Sequence, residues 1–247
     1  MNAPEPRFQV NQMTPDPAVR FDRAIGEQYV LYAHRLAARG YVQAAVGNMV
    51  MRVPHPDYPD GVCYVKSQGV SLEEMEIGDL VITDVPCGRI LHGERATTVG
   101  HQMNREMLRL RPDVHCVIHL HHDETVAFLA AGREELRPLG LTFSYLMQKP
   151  VHYLPAHINV EEDVAPIKTF IRDTNCVLMK RHGITVLGRT VSECYGRVNI
   201  LAAEVKRNII AEQLAALSGT TVDRISTDEM EEMYRHGDAV MYPKVTK

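Results

Sequence analysis

Residues 111–130 read RPDVHCVIHLHHDETVAFLA, and the placement of the rest of the chain follows from them. The run VHCVIHL (114–120) is apolar and rich in β-branched residues, the composition of a buried strand. DETVAFLAAG follows as a helix, with Asp123 placed to cap its start and Gly132 to stop it. Alternate side chains of a strand share a face, so His119 and His121 point the same way, about 6–7 Å apart. At a strand end two such imidazoles can converge on one divalent ion, each offering a neutral nitrogen at about 2.0–2.1 Å. A lone His-x-His is as well explained by two solvated side chains. His182 changes the weighing: it lies between two β-like runs and precedes Gly183, where the backbone can turn sharply towards a neighbouring strand end. Three histidines leave positions of a catalytic metal open to substrate.

Upstream, the pattern turns helical from Phe21, with Ile25, Tyr29, Tyr32, Leu36 and Ala37 on one face and Gly40 as a stop. Strand-like runs follow at 47–53, 61–66 and 79–84, separated by turn residues such as HPDYPDG, and then a helix over 98–110. Downstream, the sequence predicts a strand at 150–155, a helix around 161–172, and a strand pair at 176–180 and 184–188. A long helix runs from Thr190 to about Leu217, where Thr190 and Glu193 have capping-box spacing and Gly219 is a stop. Helices and strands mix without strict βαβ alternation, so one α/β domain over 21–247 with a mainly antiparallel sheet is expected. Residues 1–20, with four prolines, read as an N-terminal arm.

The chain has 247 residues, 45% hydrophobic and 23% charged, a composition that excludes a disordered or collagen-like protein. Its net charge of −4 argues against nucleic acid or an anionic membrane as partner. The N-terminal sequence lacks the basic start and apolar run of a secretory signal. Five scattered cysteines without a CxxC read as reduced thiols, which points to the cytoplasm.

Four stretches carry a resemblance: Gly47-Asn48, KSQGVSLEEMEIGDLVITD (66–84), residues 111–130, and KRHGITVLGRTVSECYGRVNILAAEV (180–205). In order and spacing they resemble the class II aldolase/adducin family over about residues 40–217. The resemblance implies a three-layer α/β/α sandwich and a homotetramer with active sites at subunit interfaces. It also implies one divalent metal ion per subunit, Zn²⁺ or Mn²⁺ (with Fe²⁺ or Co²⁺ as further options), held by His119, His121 and His182. Asn48, Ser67, Gly69 and Thr98 fall where the family lines its substrate.

The departures bear on the reaction. Aligned on Arg111-Pro112, the family's acid/base Glu falls on Gly100, which leaves His101 as the nearest titratable side chain. Where sugar-phosphate members carry hydroxyl residues, this chain has Met49, Val50 and Lys66. A dianionic phosphate needs several convergent donors, so a small carboxylate substrate paired with Lys66 is expected instead. Tyr145, in LTFSYLMQKP, is a second candidate proton donor. Decarboxylation starts from an ionised carboxylate and mainly needs a proton donor, whereas retro-aldol cleavage needs a base. With the Glu missing, the expectation is a metal-dependent lyase that acts as a decarboxylase on a hydroxylated aromatic or β-keto carboxylate. The alternatives are an aldolase acting on a non-phosphorylated hydroxy-keto acid and a non-catalytic, adducin-like interaction protein.

Overall fold

The computed structural model describes residues 11–242. Helix α1 (Arg23–Ala38) opens on Asp22, whose carboxylate accepts the N–H groups of Ala24 and Ile25. Strands β1 (Asn48–His55), β2 (Tyr58–Lys66), β3 (Leu80–Asp84) and β4 (Ile90–His92) follow as a meander, and α2 (His101–Leu110) leads to β5 (Cys116–Leu120). Then come α3 (Asp123–Ala130), α4 (Leu141–Met147), β6 (Val151–Leu154), β7 (Cys176–Met179), β8 (Gly183–Gly188), α5 (Val191–Ser218) and α6 (Thr227–Met241).

The eight strands form one sheet in the order β4-β3-β2-β1-β5-β8-β7-β6. Every neighbouring pair is antiparallel except β6 and β7. β5 lies in the middle, with β1 on one side and β8 on the other, and side-chain alternation sorts its residues between two cores. Cys116, Ile118 and Leu120 pack with Tyr29 and Leu36 of α1, Phe128 of α3, Phe143 of α4 and Val198 of α5. Val117 packs on the opposite face with Met103 and Met107 of α2 and with Ile167 and Ile171. The result is the expected α/β/α sandwich, and by the same alternation His119 lies on the α2 face.

The structure revises several elements. The stretch predicted as a helix over 161–172 forms only a 3₁₀ turn at Ala165–Thr169, because turns bonded to Asn159 and Pro166 at N1/N2 interrupt a longer α-helix. Helix α2 begins at His101, not at 98, and α3 is capped by His122 with Asp123 as its first residue. The short elements β4 and α4 lacked a pattern long enough to read, and α6, 15 residues long and opened by a Ser226–Glu229 capping box, was not anticipated. Thr190 caps α5 through the Glu193 N–H at 3.1 Å, but the Glu193 carboxylate turns instead to the Arg189 N–H, at 2.6 Å, and to Arg197. Half of the arm, residues 1–10, lies outside the described residues. The other half runs beside β4, where the Ile90 N–H donates to the Gln12 carbonyl and the Thr14 N–H to the Ile90 carbonyl, each at 2.9 Å. No helix among the described residues is long and apolar enough to cross a membrane.

Candidate metal centre

His119 is paired with Asn48 of β1 on one side and Thr185 of β8 on the other, so its backbone position is fixed from both directions. His121 follows just past the end of β5. His182 closes the three-residue β7–β8 turn, in which Arg181 takes a left-handed φ of 64° and the His182 N–H returns to the Met179 carbonyl at 3.1 Å. Two glycines let the neighbours close on the end of β5. A Cβ on Gly183 would stand 2.1 Å from the Leu120 carbonyl oxygen, and one on Gly47 would stand 3.1 Å from that of His119. The three rings meet with centroids 5.1, 4.9 and 5.0 Å apart, each near perpendicular to the others. One nitrogen from each lies within 4.8 Å of the other two.

The hydrogen bonds of His119 set its tautomer. Nδ1 lies 2.9 Å from the Ile184 carbonyl, which can only accept, so Nδ1 carries the proton and Nε2 keeps a lone pair. That Nε2 is buried and has no hydrogen-bond partner among the described residues. Burial holds the ring neutral, with its pKa down at about 3. Burial likewise lowers His121, with the charge of His182 adding to the effect. An orphaned, unprotonated nitrogen aimed at two further imidazoles is the donor chemistry of a divalent-metal site, in which the other ring nitrogen is held by a backbone carbonyl. The residues fit the ion.

A fourth side chain joins them. Glu161 Oε2 stands 3.2 Å from His182 Nε2, and its Oε1 stands 3.9 Å from His119 Nε2. Burial pushes this carboxyl up, but its interaction with His182 and the charges of the histidines prevail and hold it below the usual carboxylate range. Sequence reasoning missed it: Glu161 opens the stretch expected as a helix over 161–172, where it is the first of three consecutive acidic residues and has no metal-ligand spacing to mark it.

The other predicted residues divide. Asn48 faces the centre and accepts a hydrogen bond from Asn104 of α2. Thr98 is half-buried beside the start of α2, where its carbonyl accepts the His101 N–H at 3.1 Å, and Gly69 is exposed in an open turn at φ 80°. Ser67 is buried, and its hydroxyl is committed to the Asp79 carbonyl at 2.7 Å. His101 does not reach the cluster. Its Nε2 meets Thr83 Oγ1 at 2.8 Å on β3, three strands from β5 and thus roughly 14 Å away. Burial, then the charge of Arg105, push its protonation well below the usual histidine range. Lys66 belongs to the opposite face, since Val65 before it packs in the α2-side core. It is buried, and its ammonium donates to the carbonyls of Ala45 (2.7 Å) and Val70. Tyr145 lies on α4, also across the sheet and packed towards α6. Within one subunit the structure therefore does not bring His101, Lys66 or Tyr145 to the three histidines.

The family profile described as the Class II Aldolase and Adducin N-terminal domain matches residues 27–206. The chain belongs to the class II aldolase/adducin family. Among relatives of this member is an L-fuculose phosphate aldolase of Methanococcus vannielii, 24% identical over 192 residues that make up 74% of this chain and 95% of that one. Beta-adducin of Rattus norvegicus is 26% identical over 160 residues, 63% of this chain but 22% of its own length. The fold is that of a solved L-fuculose 1-phosphate aldolase, with a TM-score of 0.74, 16% identity, and 89% of this chain and 98% of that one covered.

Proposed function

We propose that this class II aldolase/adducin member is a metal-dependent carbon–carbon lyase acting on a small hydroxy-carbonyl compound. The observation that carries the reading is the His119 tautomer: a buried ring held by the Ile184 carbonyl keeps a free Nε2 lone pair facing His121 and His182. His119, His121 and His182 would hold a divalent ion, Zn²⁺ or Mn²⁺ first among the options. When bound, such an ion acts as a Lewis acid towards substrate oxygens and stabilises the charge left by carbon–carbon cleavage.

Two grounds for expecting a decarboxylase change in the light of the geometry. Lys66, the intended partner of a substrate carboxylate, is committed to two backbone carbonyls on the far face. A carboxylate does stand at the centre, supplied by Glu161, and it would oppose a second carboxylate while being able to accept a substrate hydroxyl proton. Retro-aldol cleavage is therefore the favoured reaction. Decarboxylation is the second reading, favoured by Val50, an apolar residue buried on the α2 face where the resemblance places a hydroxyl residue in sugar-phosphate members; Met49 packs in the opposite core.

We extend the proposal to a cytoplasmic homotetramer whose residues 21–247 act as one domain. Ile210, Leu214 and Leu217 form an exposed apolar stripe at the end of α5 that such an assembly would cover. The test is metal content per chain for the wild type and His121→Ala, followed by a panel of hydroxy-keto and carboxylate substrates with assays for aldehyde and carbon dioxide. Near-stoichiometric metal that the substitution removes, with aldehyde released, supports the reading. A chain that takes up no divalent ion refutes it and favours the interaction-protein alternative.

A further inference from the structure

Gly100 caps α2 with an ordinary φ of −68°, so its backbone does not call for glycine. The space around it does. Gly100 is buried, and a Cβ at this position would stand 2.3 Å from Glu161 Oε1 and 2.6 Å from Asn48 Nδ2. The point where a side chain of residue 100 would begin is thus occupied by a carboxylate that arrives from elsewhere in the chain. It arrives on a built turn. The Glu161 N–H donates to the Asn159 side-chain oxygen at 3.2 Å, and the N–H groups of Glu162 and Asp163 close on the Asn159 carbonyl at 3.2 and 3.0 Å. From there the carboxylate divides its two oxygens between His182 and His119.

We propose that Glu161 is the carboxylate member of the centre, a fourth donor to the ion held by His119, His121 and His182. Its seat exists because residue 100 has no side chain. The inference rests on the metal-dependent reading above. Three neutral imidazoles leave a divalent ion its full charge, and one carboxylate halves it, which strengthens binding through attraction and tunes the Lewis acidity. Asn48 borders the same gap, so it limits the directions in which the carboxylate can withdraw. Position 100 and position 161 are then two halves of one device: the first must be small for the second to reach inward.

The test uses the full chain freed of metal, titrated with Co²⁺ and followed by visible absorption and by competition with a chelator. Glu161→Gln keeps the shape and removes the charge; it should weaken Co²⁺ binding about 10–100-fold and alter the visible band. Gly100→Ala leaves the carboxylate untouched but pushes it aside, and should weaken binding in the same direction. In the Glu161→Gln background, Gly100→Ala should add nothing further. Moving the carboxylate, with Glu161→Ala and Gly100→Glu together, should recover at least tenfold over Glu161→Ala alone. The proposal is overturned if Glu161→Gln binds Co²⁺ within twofold of wild type, or if the Gly100→Ala effect persists undiminished in that background. A wild type that binds no Co²⁺ overturns this inference together with the lyase reading. Wild-type binding with an unaffected Glu161→Gln overturns this inference alone.

Discussion

Gly183→Ala tests the geometry of the centre without touching a ligand. The new methyl would start 2.1 Å from the Leu120 carbonyl oxygen and 3.0 Å from the His121 Cα, so backbone must move and no rotamer change relieves it. A carbon–oxygen contact of about 3.3 Å is reached only if the two strands part by about 1 Å. Overpacking of this kind costs about 1–3 kcal/mol. For a chain of this size that corresponds to a Tm lower by about 2–12 °C. The displacement also exceeds the roughly 0.5 Å within which such constellations must be held, and it separates His182 from His119 and His121. A loss of at least tenfold in metal affinity removes about 1.4 kcal/mol of the stabilisation by saturating ion, or about 3–6 °C of the metal-induced rise in Tm. Melts in chelator and in excess divalent ion separate the two contributions. An unchanged Tm in chelator together with a full metal-induced rise would refute the close approach of β8 to β5.

Other predictions follow from buried polar groups. Lys66→Met orphans the Ala45 and Val70 carbonyls and should destabilise the chain by about 1–3 kcal/mol in denaturant titrations, without changing which products form. Burial lowers the Lys66 pKa from 10.5 to about 8, so between these values the unfolded chain holds the extra proton. Wild-type stability relative to Lys66→Met should therefore rise from pH 8 to 10.5, by at most about 3 kcal/mol (1.36 for each of 2.5 units), because the two carbonyls favour the charged form. His101 is depressed as well, so the unfolded state binds its proton first and stability falls as pH drops below about 6.5, approaching 1.4 kcal/mol per unit. His101→Gln should flatten that slope in pH-dependent melts; an unaltered slope would place the titration elsewhere. Arg197→Ala removes one of the two arginines that pair with buried Glu193, which keeps Arg189, and orphans the Leu146 and Leu187 carbonyls; it should cost about 1–3 kcal/mol by chemical unfolding.

Much of this was legible in the sequence, and for identifiable reasons. The strand at 116–120 and the shared direction of His119 and His121 follow from apolar patterning and a period of two, both local properties. Thr190 at the start of α5 and Gly219 at its end are likewise local signals, and the structure has Gly219 as the C-cap at φ 68°. Glu161 was not legible because its role depends on a contact between segments 61 residues apart, Gly100 and the turn after β6. The sequence showed only the missing side chain at position 100. Lys66 was misplaced by one step of strand alternation: a residue adjacent to the site in sequence faces the other core. His101 illustrates the same limit, since a titratable residue at a helix start is available only if its ring does not lie against a strand.

The centre also bears on how the sheet is assembled. His119 comes from β5, and His182 from the turn that joins β7 to β8, so an ion bound by both ties the neighbouring strands β5 and β8 together. A one-residue slip between them would send His119 to the opposite face and scatter the three nitrogens. An ion can therefore be captured only once the correct strand pairing has formed, and its capture during refolding would serve as a clock for that event. Chelator added before that moment would leave the pairing to the backbone alone; added afterwards, it would have to pull apart a finished register.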